Sequence, residues 1–334
     1  MKKIKAIIPV AGAGTRLRPF TYTQPKALIP VAGKPIISYI IDDLKAQGIL
    51  DFVFIVGYFG EKIVDYVKEN YKDIRSEFVF QSKREGLGHA IFLTKECVQS
   101  QDELIIALGD SLIEISHDFF ESQHSSIAIK KVKDPSNFGV VEMDEKNQIS
   151  RFVEKPKIPR SNNALTGLYK IMEVDLLFEI LEKYNRDNIR TNGEIHLTDV
   201  LNEMLIRGVH FDTYIADQWL DVGNGEILLS SNALLLKKFG GHIAIASTIE
   251  NSVIVEPVFI AENCVVRNSI VGPHVTIGAN TKIENSIIEN GIIGSFSKLD
   301  KMKLSDFVIG SDSSLKGSSQ TITVGDNTEI DFSK

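Results

Sequence analysis

Cysteine is scarce in this sequence, which contains only Cys97 and Cys264 among its 334 residues. Two cysteines so far apart along the chain predict neither a disulfide framework nor a cysteine-based zinc site, and they favour a reducing, cytoplasmic compartment. The sequence also lacks a cluster of histidine and cysteine residues, which argues against zinc as a cofactor.

An excess of positive charge is missing as well, since 37 lysines and arginines face 44 aspartates and glutamates, a net charge of −7. A nucleic-acid-binding face needs clustered lysine and arginine, so we expect no nucleic-acid partner. The apolar run after Met1-Lys2-Lys3 ends at Gly12 and is too short for a signal peptide or a membrane span. We therefore expect a soluble protein without a membrane partner, long enough for one large domain and a smaller one.

The first 240 residues alternate between strand-like and helix-like patterns. In residues 35–48, apolar residues share one face of a helix that begins near Pro35 and stops at Gly48. Short apolar runs predict strands at residues 6–10, 51–56, 77–80 and 103–108, of which the first and the last read as buried. This alternation predicts an α/β fold with a mostly parallel sheet covered by helices, whose ligands gather beyond the carboxyl ends of the strands.

The pattern changes to a repeat after residue 240. The pair Asn-Ser recurs at 251–252, 268–269 and 285–286, a spacing of 17 residues, and single aliphatic residues recur every five or six positions. This is the pattern of hexapeptide repeats in a parallel β-helix, whose coils must stack to bury their apolar rows. An antiparallel meander would instead alternate with a period of two. We therefore predict two domains, residues 1–240 and residues 241–334.

A glycine-rich turn follows the first predicted strand. Its residues are Gly12, Ala13, Gly14, Thr15 and Arg16. Glycine lets backbone N–H groups approach an anion closely, and a hydroxyl followed by a guanidinium suits a triphosphate better than it suits a plain tight turn. Position 17 is leucine, which excludes the dinucleotide-binding fingerprint, and no Gly-Lys-Ser/Thr follows, which excludes a Walker A loop.

A second cationic residue lies in a stiff segment nearby. Lys26 stands between Pro25 and Pro30, and the prolines restrict the backbone on both sides. A solvated surface lysine needs no such rigidity. We therefore expect Arg16 and Lys26 to act together on phosphate groups as the catalytic cations.

The segments GAGTRLRP and QPKALIPVAGKPI resemble the sugar nucleotidyltransferases, which join a nucleoside triphosphate to a sugar 1-phosphate and release pyrophosphate. The resemblance continues along the whole chain in the family's order. The further motifs are Gln81-x-x-x-x-Gly86, Leu108-Gly109-Asp110, Phe152-Val-Glu-Lys-Pro156, Thr166-Gly-Leu-Tyr169 and Trp219-Leu-Asp221-Val-Gly223. The likeness implies a Rossmann-like catalytic domain with a mixed, mostly parallel sheet, followed by a left-handed parallel β-helix.

The resemblance also implies roles for single residues. Gln81 and Gly86 would bind the nucleotide base, next to the nucleotide-binding first loop. Asp110 and Asp221 would hold Mg²⁺, a hard cation that prefers a few carboxylates together with water and phosphate oxygens. The sugar-phosphate pocket would contain Gly139, Glu154, Lys155, Thr166 and Gly167.

Charge repulsion is the main obstacle when a nucleoside triphosphate and a sugar 1-phosphate meet. The attacking sugar-phosphate oxygen is already anionic at pH 7 and needs no general base, so positioning and electrostatic stabilisation would supply the catalysis. We hypothesise that Arg16 and the backbone of residues 12–15 hold the β- and γ-phosphates. Lys26 would bridge the α-phosphoryl group and the sugar phosphate, while Mg²⁺ offsets charge at the reacting phosphorus.

The choice of base and sugar stays open between two resemblances. The first loop, the middle segments and the β-helix tail resemble long-form glucose-1-phosphate thymidylyltransferases. The segments Ile8-Pro9-Val10-Ala11 and Gly86-Leu-Gly-His-Ala90 instead resemble UTP–glucose-1-phosphate uridylyltransferases. We expect a pyrimidine nucleotide, dTTP slightly ahead of UTP, with glucose 1-phosphate as the sugar substrate.

Hexapeptide β-helices also occur in acyltransferases and in bifunctional relatives that use a histidine. Here His242 and His274 are the only histidines of the repeat region, and the predicted β-helix has four to five coils ending near residue 330. We therefore favour a structural role in forming a homo-oligomer. A third alternative is a non-catalytic, nucleotide-sensing subunit, but such chains tend to lose the loop arginine or lysine, and this chain has both.

Overall fold

The computed structural model describes residues 3–100 and 102–318. Contacts divide the chain into two compact units, Met1–Ser231 and Asn232–Lys334. The helix Gly225–Phe239 runs through this division, so the domain boundary predicted between residues 240 and 241 stays a prediction. The end of the predicted β-helix, residues 319–334, lies outside the described residues.

Among the described residues, the first unit contains thirteen strands and all of the helices apart from the helix Gly225–Phe239, which crosses into the second unit. The strands are β1 Ile4–Pro9, β2 Pro30–Val31, β3 Lys34–Pro35, β4 Asp51–Val56, β5 Arg75–Phe80, β6 Glu103–Ala107, β7 Ser111–Glu114, β8 Ser125–Lys131, β9 Val140–Met143, β10 Ile149–Val153, β11 Asn163–Ile171, β12 Phe211–Ile215 and β13 Gln218–Asp221. The α-helices are α1 Ile36–Ala46, α2 Gly60–Asn70, α3 Leu87–Phe92, α4 Asp118–Glu121, α5 Val174–Arg186, α6 Leu197–Ile206 and α7 Gly225–Phe239. Short 3₁₀ helices cover Thr15–Leu17, Phe20–Tyr22, Lys26–Leu28 and Lys95–Cys97. In the part of the chain that the structure describes, no helix has the length and apolarity needed to cross a bilayer.

A nine-stranded sheet forms the centre of the first unit. Its main path is β10-β9-β11-β6-β1-β4-β5, and β8 pairs with both β11 and the edge strand β12. The strands β1, β4, β5 and β6 are parallel neighbours, whereas β11 runs antiparallel to β6, β8 and β9. The predicted α/β fold with a mixed, mostly parallel sheet is confirmed.

The strand and helix patterns follow from burial on both sides of this sheet. All six residues of β4 are buried, as a strand covered on both faces requires. In α1, Pro35 occupies the N-cap with an extended backbone, and the apolar residues Ile36, Ile37, Ile40, Ile41 and Leu44 are buried. Each of these side chains contributes about 1.5–3 kcal/mol by leaving water.

Two loops meet at the carboxyl edge of the sheet. The strands β1 and β6 are paired in parallel, with Ile7 beside Ile106, so the residues that follow them lie next to each other. A Cβ atom on Gly109 would lie 2.2 Å from Val10 Cγ1, and the Gly109 N–H donates to the Pro9 carbonyl at 3.3 Å. Only glycine permits this close approach, which brings the loop before Arg16 and the loop carrying Asp110 together.

The second unit contains a parallel β-helix. Its strands are β14 His242–Ile243, β15 Thr248–Glu250, β16 Val253–Ile254, β17 Val258–Ile260, β18 Val265–Arg267, β19 Ile270–Val271, β20 Val275–Ile277, β21 Lys282–Glu284, β22 Ile287–Ile293, β23 Lys298–Asp300, β24 Lys303–Ile309 and β25 Ser314–Lys316. The stack β15-β18-β21-β23-β25 is parallel throughout. Along it, Thr248, Val265, Lys282, Lys298 and Ser314 occupy equivalent positions, so the repeat of 17 residues shortens to 16 after the third coil. The predicted β-helix is confirmed.

The repeated Asn-Ser pair forms one corner of each coil. Asn251, Asn268 and Asn285 have φ angles of 47°, 46° and 50°, a left-handed conformation that asparagine tolerates better than most residues. The serine that follows turns inward, and its hydroxyl oxygen accepts the backbone N–H of the next coil's serine: Ser252 from Ser269 at 3.1 Å, and Ser269 from Ser286 at 3.0 Å. The repeat therefore encodes both the corner and the link between coils.

The β-helix offers a matched test of its apolar column. Ile283 is fully buried and stacks in register between Val266 and Leu299, whereas Ile245 is fully exposed. Because Ile283→Ala leaves a cavity in the column, it is expected to lower the free energy of unfolding by about 2–5 kcal/mol. The control Ile245→Ala, the same chemical change at an exposed site, is expected to cost less than about 1 kcal/mol. Urea unfolding followed by circular dichroism measures both, and equal losses would contradict the stacked core.

Candidate active site

A cleft of about 720 Å³ opens at the carboxyl edge of the sheet in the first unit. It gathers most of the residues that the sequence motifs single out. Among the residues that line it are Gly12, Gly14, Thr15, Arg16, Lys26, Asp110, Gly139, Glu154, Lys155, Thr166 and Asp221. The predicted residues Ala13, Gln81, Gly86 and Gly167 are not part of this lining.

The first loop is shaped by Gly14. Its φ angle is +60°, and a Cβ atom there would lie 2.9 Å from both Lys26 Cβ and Thr21 Cγ2. The Thr21 hydroxyl donates to the Gly14 carbonyl at 2.9 Å and holds the turn. Gly14 therefore lets the loop pack against Lys26, while Thr15 and Arg16 begin the next turn with exposed side chains on the cleft.

Lys26 and Asp110 form an ion pair in the floor of the cleft. The distance between Lys26 Nζ and Asp110 Oδ2 is 2.7 Å, and the lysine side chain is only 12% exposed. Lys26 begins a 3₁₀ turn directly after Pro25, whose extended backbone directs the chain into the cleft. The stiff segment therefore positions an ammonium group against the carboxylate that β6 presents at its carboxyl end.

Asp221 lies beside Asp110 because of an antiparallel pair of strands. In the β7–β13 pair, Asp221 faces Ser111, and the Val222 N–H donates to the Asp110 carbonyl at 3.0 Å. Burial and the negative charge of Asp110 raise the pKa of Asp221, and the nearby cations Lys26, Arg16 and Lys155 oppose that rise. Two carboxylates this close, one of them poorly solvated, are donors that suit a divalent cation with oxygen preference.

Gly223 completes this corner of the cleft. A Cβ atom on it would lie 3.3 Å from Asp221 Oδ2 and 3.7 Å from Arg16 Cζ. The Asp221 carboxylate and the Arg16 guanidinium therefore flank the same small space. The motif Trp219-Leu-Asp221-Val-Gly223 thus contributes a carboxylate and the room beside it.

The predicted sugar-phosphate residues fall into two groups. Glu154 and Lys155 line the cleft, with Lys155 Nζ 3.7 Å from Glu154 Oε1 and its side chain 63% exposed. Thr198, at the start of α6, donates from its hydroxyl to Glu154 Oε2 at 3.2 Å and orients that carboxylate. The Lys155 ammonium is thus free to swing toward an incoming anion, while Glu154 is held in place.

The other group serves the backbone. The buried Thr166 hydroxyl donates to the Ala128 carbonyl at 3.0 Å, so the sheet already uses it. A Cβ atom on Gly139 would lie 2.8 Å from Leu165 Cδ1, and one on Gly167, whose φ angle is +95°, would overlap the Leu108 side chain. The two glycines therefore shape the wall of the cleft by permitting close packing behind it.

Gln81 and Gly86 lie next to each other outside the cleft lining. Gln81 Nε2 donates to the Gly86 carbonyl at 3.2 Å and lies 3.3 Å from His89 Nδ1. Gly86 has a φ angle of +97°, and a Cβ atom there would lie 2.5 Å from the Ile195 carbonyl oxygen. This geometry explains the need for glycine by backbone packing.

Residues around the start of α6 also line the cleft, and the sequence analysis did not predict them. Glu194, His196 and Thr198 line the cleft, and His196 is the N-cap of α6. Among the described residues, His196 Nε2 is buried and has no hydrogen-bond partner. In the sequence, these polar residues alternate with Ile195 and Leu197 at the start of a helix. That pattern could have drawn attention to them, but their spacing does not indicate that they face the cleft.

Asp221 offers a test of this electrostatic picture by pH. Because burial raises its pKa above the ordinary value of 3.8, the ionised carboxylate costs stability at neutral pH, and that cost disappears once acid protonates it in the folded and unfolded states. In EDTA, Asp221→Asn is therefore expected to raise the urea midpoint at pH 7.5, with the gain shrinking as the pH falls and disappearing only below the ordinary pKa of 3.8. The control Asp217→Asn, on an exposed residue before β13, is expected to change little. A lower midpoint for Asp221→Asn at pH 7.5 would refute the picture.

Comparison with known proteins adds family information to this geometry. A family model described as nucleotidyl transferase matches residues 5–238, and one described as a GlmU-like C-terminal hexapeptide matches residues 238–295. The chain is 37% identical over 262 residues to the bifunctional protein GlmU of Methanocaldococcus jannaschii, a match that covers 77% of this chain and 60% of that protein. The chain thus spans less than two thirds of the length of that relative.

Two further similar proteins are matched over a larger share of their own length. The chain is 31% identical over 305 residues to a glucose-1-phosphate thymidylyltransferase of Streptomyces griseus, covering 89% of this chain and 82% of that protein. A crystal structure of UDP-glucose pyrophosphorylase with UDP-glucose matches with a TM-score of 0.61 at 26% identity, covering 71% of this chain and 100% of that one. The chain belongs to the nucleotidyl transferase family.

Proposed function

We propose that this protein joins a nucleoside triphosphate to a sugar 1-phosphate, giving a nucleoside diphosphate sugar and pyrophosphate. The observation that carries the proposal is the convergence of Arg16, Lys26, Asp110, Asp221 and Lys155 on one cleft. Three cations and two carboxylates at one sheet edge suit two phosphate-bearing substrates together with a divalent cation.

The reaction requires little covalent chemistry from the protein. A sugar-phosphate oxygen attacks the α-phosphorus, and the bond from that phosphorus to the oxygen that bridges the α- and β-phosphates breaks, with the electron pair leaving on pyrophosphate. Arg16 and the loop backbone hold the β- and γ-phosphates, and Lys26 bridges the α-phosphoryl group and the sugar phosphate. Lys155 holds the sugar phosphate from the other side, so positioning and charge stabilisation supply the rate.

The residues at the floor of the cleft fit Mg²⁺. Asp110 and Asp221 supply carboxylate oxygens at adjacent positions, and burial together with the charge of Asp110 raises the pKa of Asp221 despite the nearby cations. When bound, Mg²⁺ supplies charge neutralisation at the reacting phosphorus. Lys26, whose Nζ lies 2.7 Å from Asp110 Oδ2 in this structure, would turn its ammonium to phosphate oxygens where Asp110 held the ion.

For the substrates we propose a pyrimidine nucleotide, dTTP ahead of UTP, and glucose 1-phosphate. The likeness to a glucose-1-phosphate thymidylyltransferase over 305 residues supports dTTP as the nucleotide. The likeness to UDP-glucose pyrophosphorylase supports UTP as the second nucleotide. The Gln81 amide donates to Gly86 from its nitrogen, which leaves its carbonyl oxygen to accept the imide N–H that thymine and uracil share. We place the reaction in the cytoplasm, where both free cysteines, Cys97 and Cys264, stay reduced.

We propose that the β-helix serves homo-oligomer formation. On one of its faces, Val253, Ile270 and Ile287 stack in register, and all three side chains are exposed. A continuous exposed apolar row supports pairing with a second copy. The similarity to the bifunctional protein GlmU keeps an acetyl-transfer activity as the alternative, to be settled by assay.

The deciding experiment is a pyrophosphate-release assay over a matrix of substrates with Mg²⁺. Each of dTTP, UTP, GTP, ATP and CTP is paired with the 1-phosphates of glucose, mannose, galactose and glucosamine. The expected result is the highest kcat/KM for dTTP or UTP with glucose 1-phosphate. A parallel arm measures consumption of acetyl-CoA with glucosamine 1-phosphate and supports the alternative if it is positive. Nucleotide binding without pyrophosphate release under all conditions would instead indicate a sensing subunit.

Arg16 and Arg18 provide a matched pair for the mechanism. Arg16 lines the cleft, whereas Arg18 is exposed with its Cζ atom 5.1 Å from the centre of the Tyr22 ring. Because Arg16 would stabilise the leaving pyrophosphate, Arg16→Ala is expected to lower kcat/KM by about 10²–10³-fold. Arg18→Ala is expected to stay within about twofold, and both variants should keep the wild-type circular dichroism spectrum. Equal rates for the two variants would exclude this role for Arg16.

A further inference from the structure

Two histidines and an aspartate meet at the other end of the central sheet. His124 Nδ1 lies 3.1 Å from Asp212 Oδ2, and His210 Nε2 lies 3.0 Å from Asp212 Oδ1. The two imidazole rings have centroids 5.3 Å apart and are nearly perpendicular. One ligand atom from each residue lies within 4.8 Å of the others.

Strand pairing brings these residues together. His210 and Asp212 are two residues apart at the start of β12, so their side chains point to the same face of the strand. The parallel pairing of β12 with β8 places Phe211 beside Ser125 and Asp212 beside Ser126. His124, which precedes Ser125, is therefore next to His210 by register, and rigid sheet backbone holds both.

This cluster is separate from the cleft. The strands β8 and β6 both run antiparallel to β11, so they point in the same direction. Asp110 follows the carboxyl end of β6, whereas His124 precedes the amino end of β8. The two groups therefore lie at opposite edges of the sheet.

We propose that His124, His210 and Asp212 bind a divalent transition-metal ion of the zinc type. Two imidazoles and a carboxylate are donors that zinc, cobalt and nickel prefer, whereas Mg²⁺ prefers oxygen donors throughout. Three protein ligands leave one position for water, which the exposure of both histidines, 59% and 52%, allows. In this structure both histidines hydrogen-bond to the carboxylate, and a bound ion would take over those contacts.

The carboxylate is also held from behind. The Ser122 hydroxyl donates to Asp212 Oδ2 at 3.2 Å, which fixes the orientation of the carboxylate in the manner common around bound metals. Because β12 is the edge strand and, among the described strands, pairs with β8 alone, an ion held by residues of both strands would link the edge to the rest of the sheet. The site is therefore expected to be structural, with no part in the reaction at the cleft.

The test measures zinc binding by untagged, full-length protein in a buffer containing excess Mg²⁺, which occupies oxygen-donor sites. Isothermal titration with ZnCl₂ is expected to show one site per chain that His210→Asn weakens at least about tenfold. His124→Asn provides a second variant with the same expected loss. The control is His117→Asn, an exposed histidine 3.4 Å from the carboxylate of Glu121, which is expected to leave zinc affinity unchanged.

Two further readouts separate a metal site from a loss of structure. Co²⁺ added to the wild type is expected to give visible absorption bands of a nitrogen- and oxygen-ligated ion, and His210→Asn is expected to abolish them. Pyrophosphate release with Mg²⁺ should be the same in wild type and His210→Asn. Equal zinc affinity in wild type, His124→Asn and His210→Asn would overturn the proposal, and so would an equal loss in His117→Asn.

Discussion

The ion pair between Lys26 and Asp110 is the interaction on which the chemistry of the cleft depends. Two carboxylates, Asp110 and Asp221, are held close enough for the charge of one to raise the pKa of the other. Two neighbouring carboxylates stay ionised only where cations lie nearby. Lys26 supplies such a cation, with its Nζ 2.7 Å from Asp110 Oδ2. The cations that lie beside these carboxylates are of the kind that phosphate groups require. The cleft is thus electrostatically prepared for a polyanion and a divalent ion arriving together.

Strand geometry, more than loop chemistry, fixes this arrangement. Asp110 is delivered by the end of β6, and the β7–β13 pair places Asp221 beside it. Gly14 and Gly109 remove the Cβ atoms that would keep the first loop away from Lys26 and from the neighbouring strand end. Both glycines therefore act by allowing close packing, and for Gly14 this adds to the sequence-based argument that glycine lets backbone N–H groups approach an anion.

Much of the fold could be predicted because its signals are local. Apolar runs gave the buried strands, and the Asn-Ser repeat gave the β-helix because each pair encodes a left-handed corner and a hydroxyl link to the next coil. The site was predictable where a residue directly follows a strand or a stiff turn, as Asp110 and Lys26 do. It was not predictable where a side chain is already bonded to the backbone, as the Thr166 hydroxyl is to the Ala128 carbonyl. It was also not predictable for His196, which lines the cleft from the start of a helix.

The cluster of His124, His210 and Asp212 is a second site that could not be predicted from the sequence. The sequence argued against zinc because it contains no cluster of ligands, and His124 and Asp212 are 88 residues apart. Their proximity comes from the register of the parallel pair β8–β12. A change of that register by one residue would turn the side chains of one strand to the opposite face of the sheet. Parallel strands bring residues distant in sequence together at both of their ends. One sheet can thus position a cleft of cations and carboxylates at its carboxyl edge and two histidines with an aspartate at its amino edge.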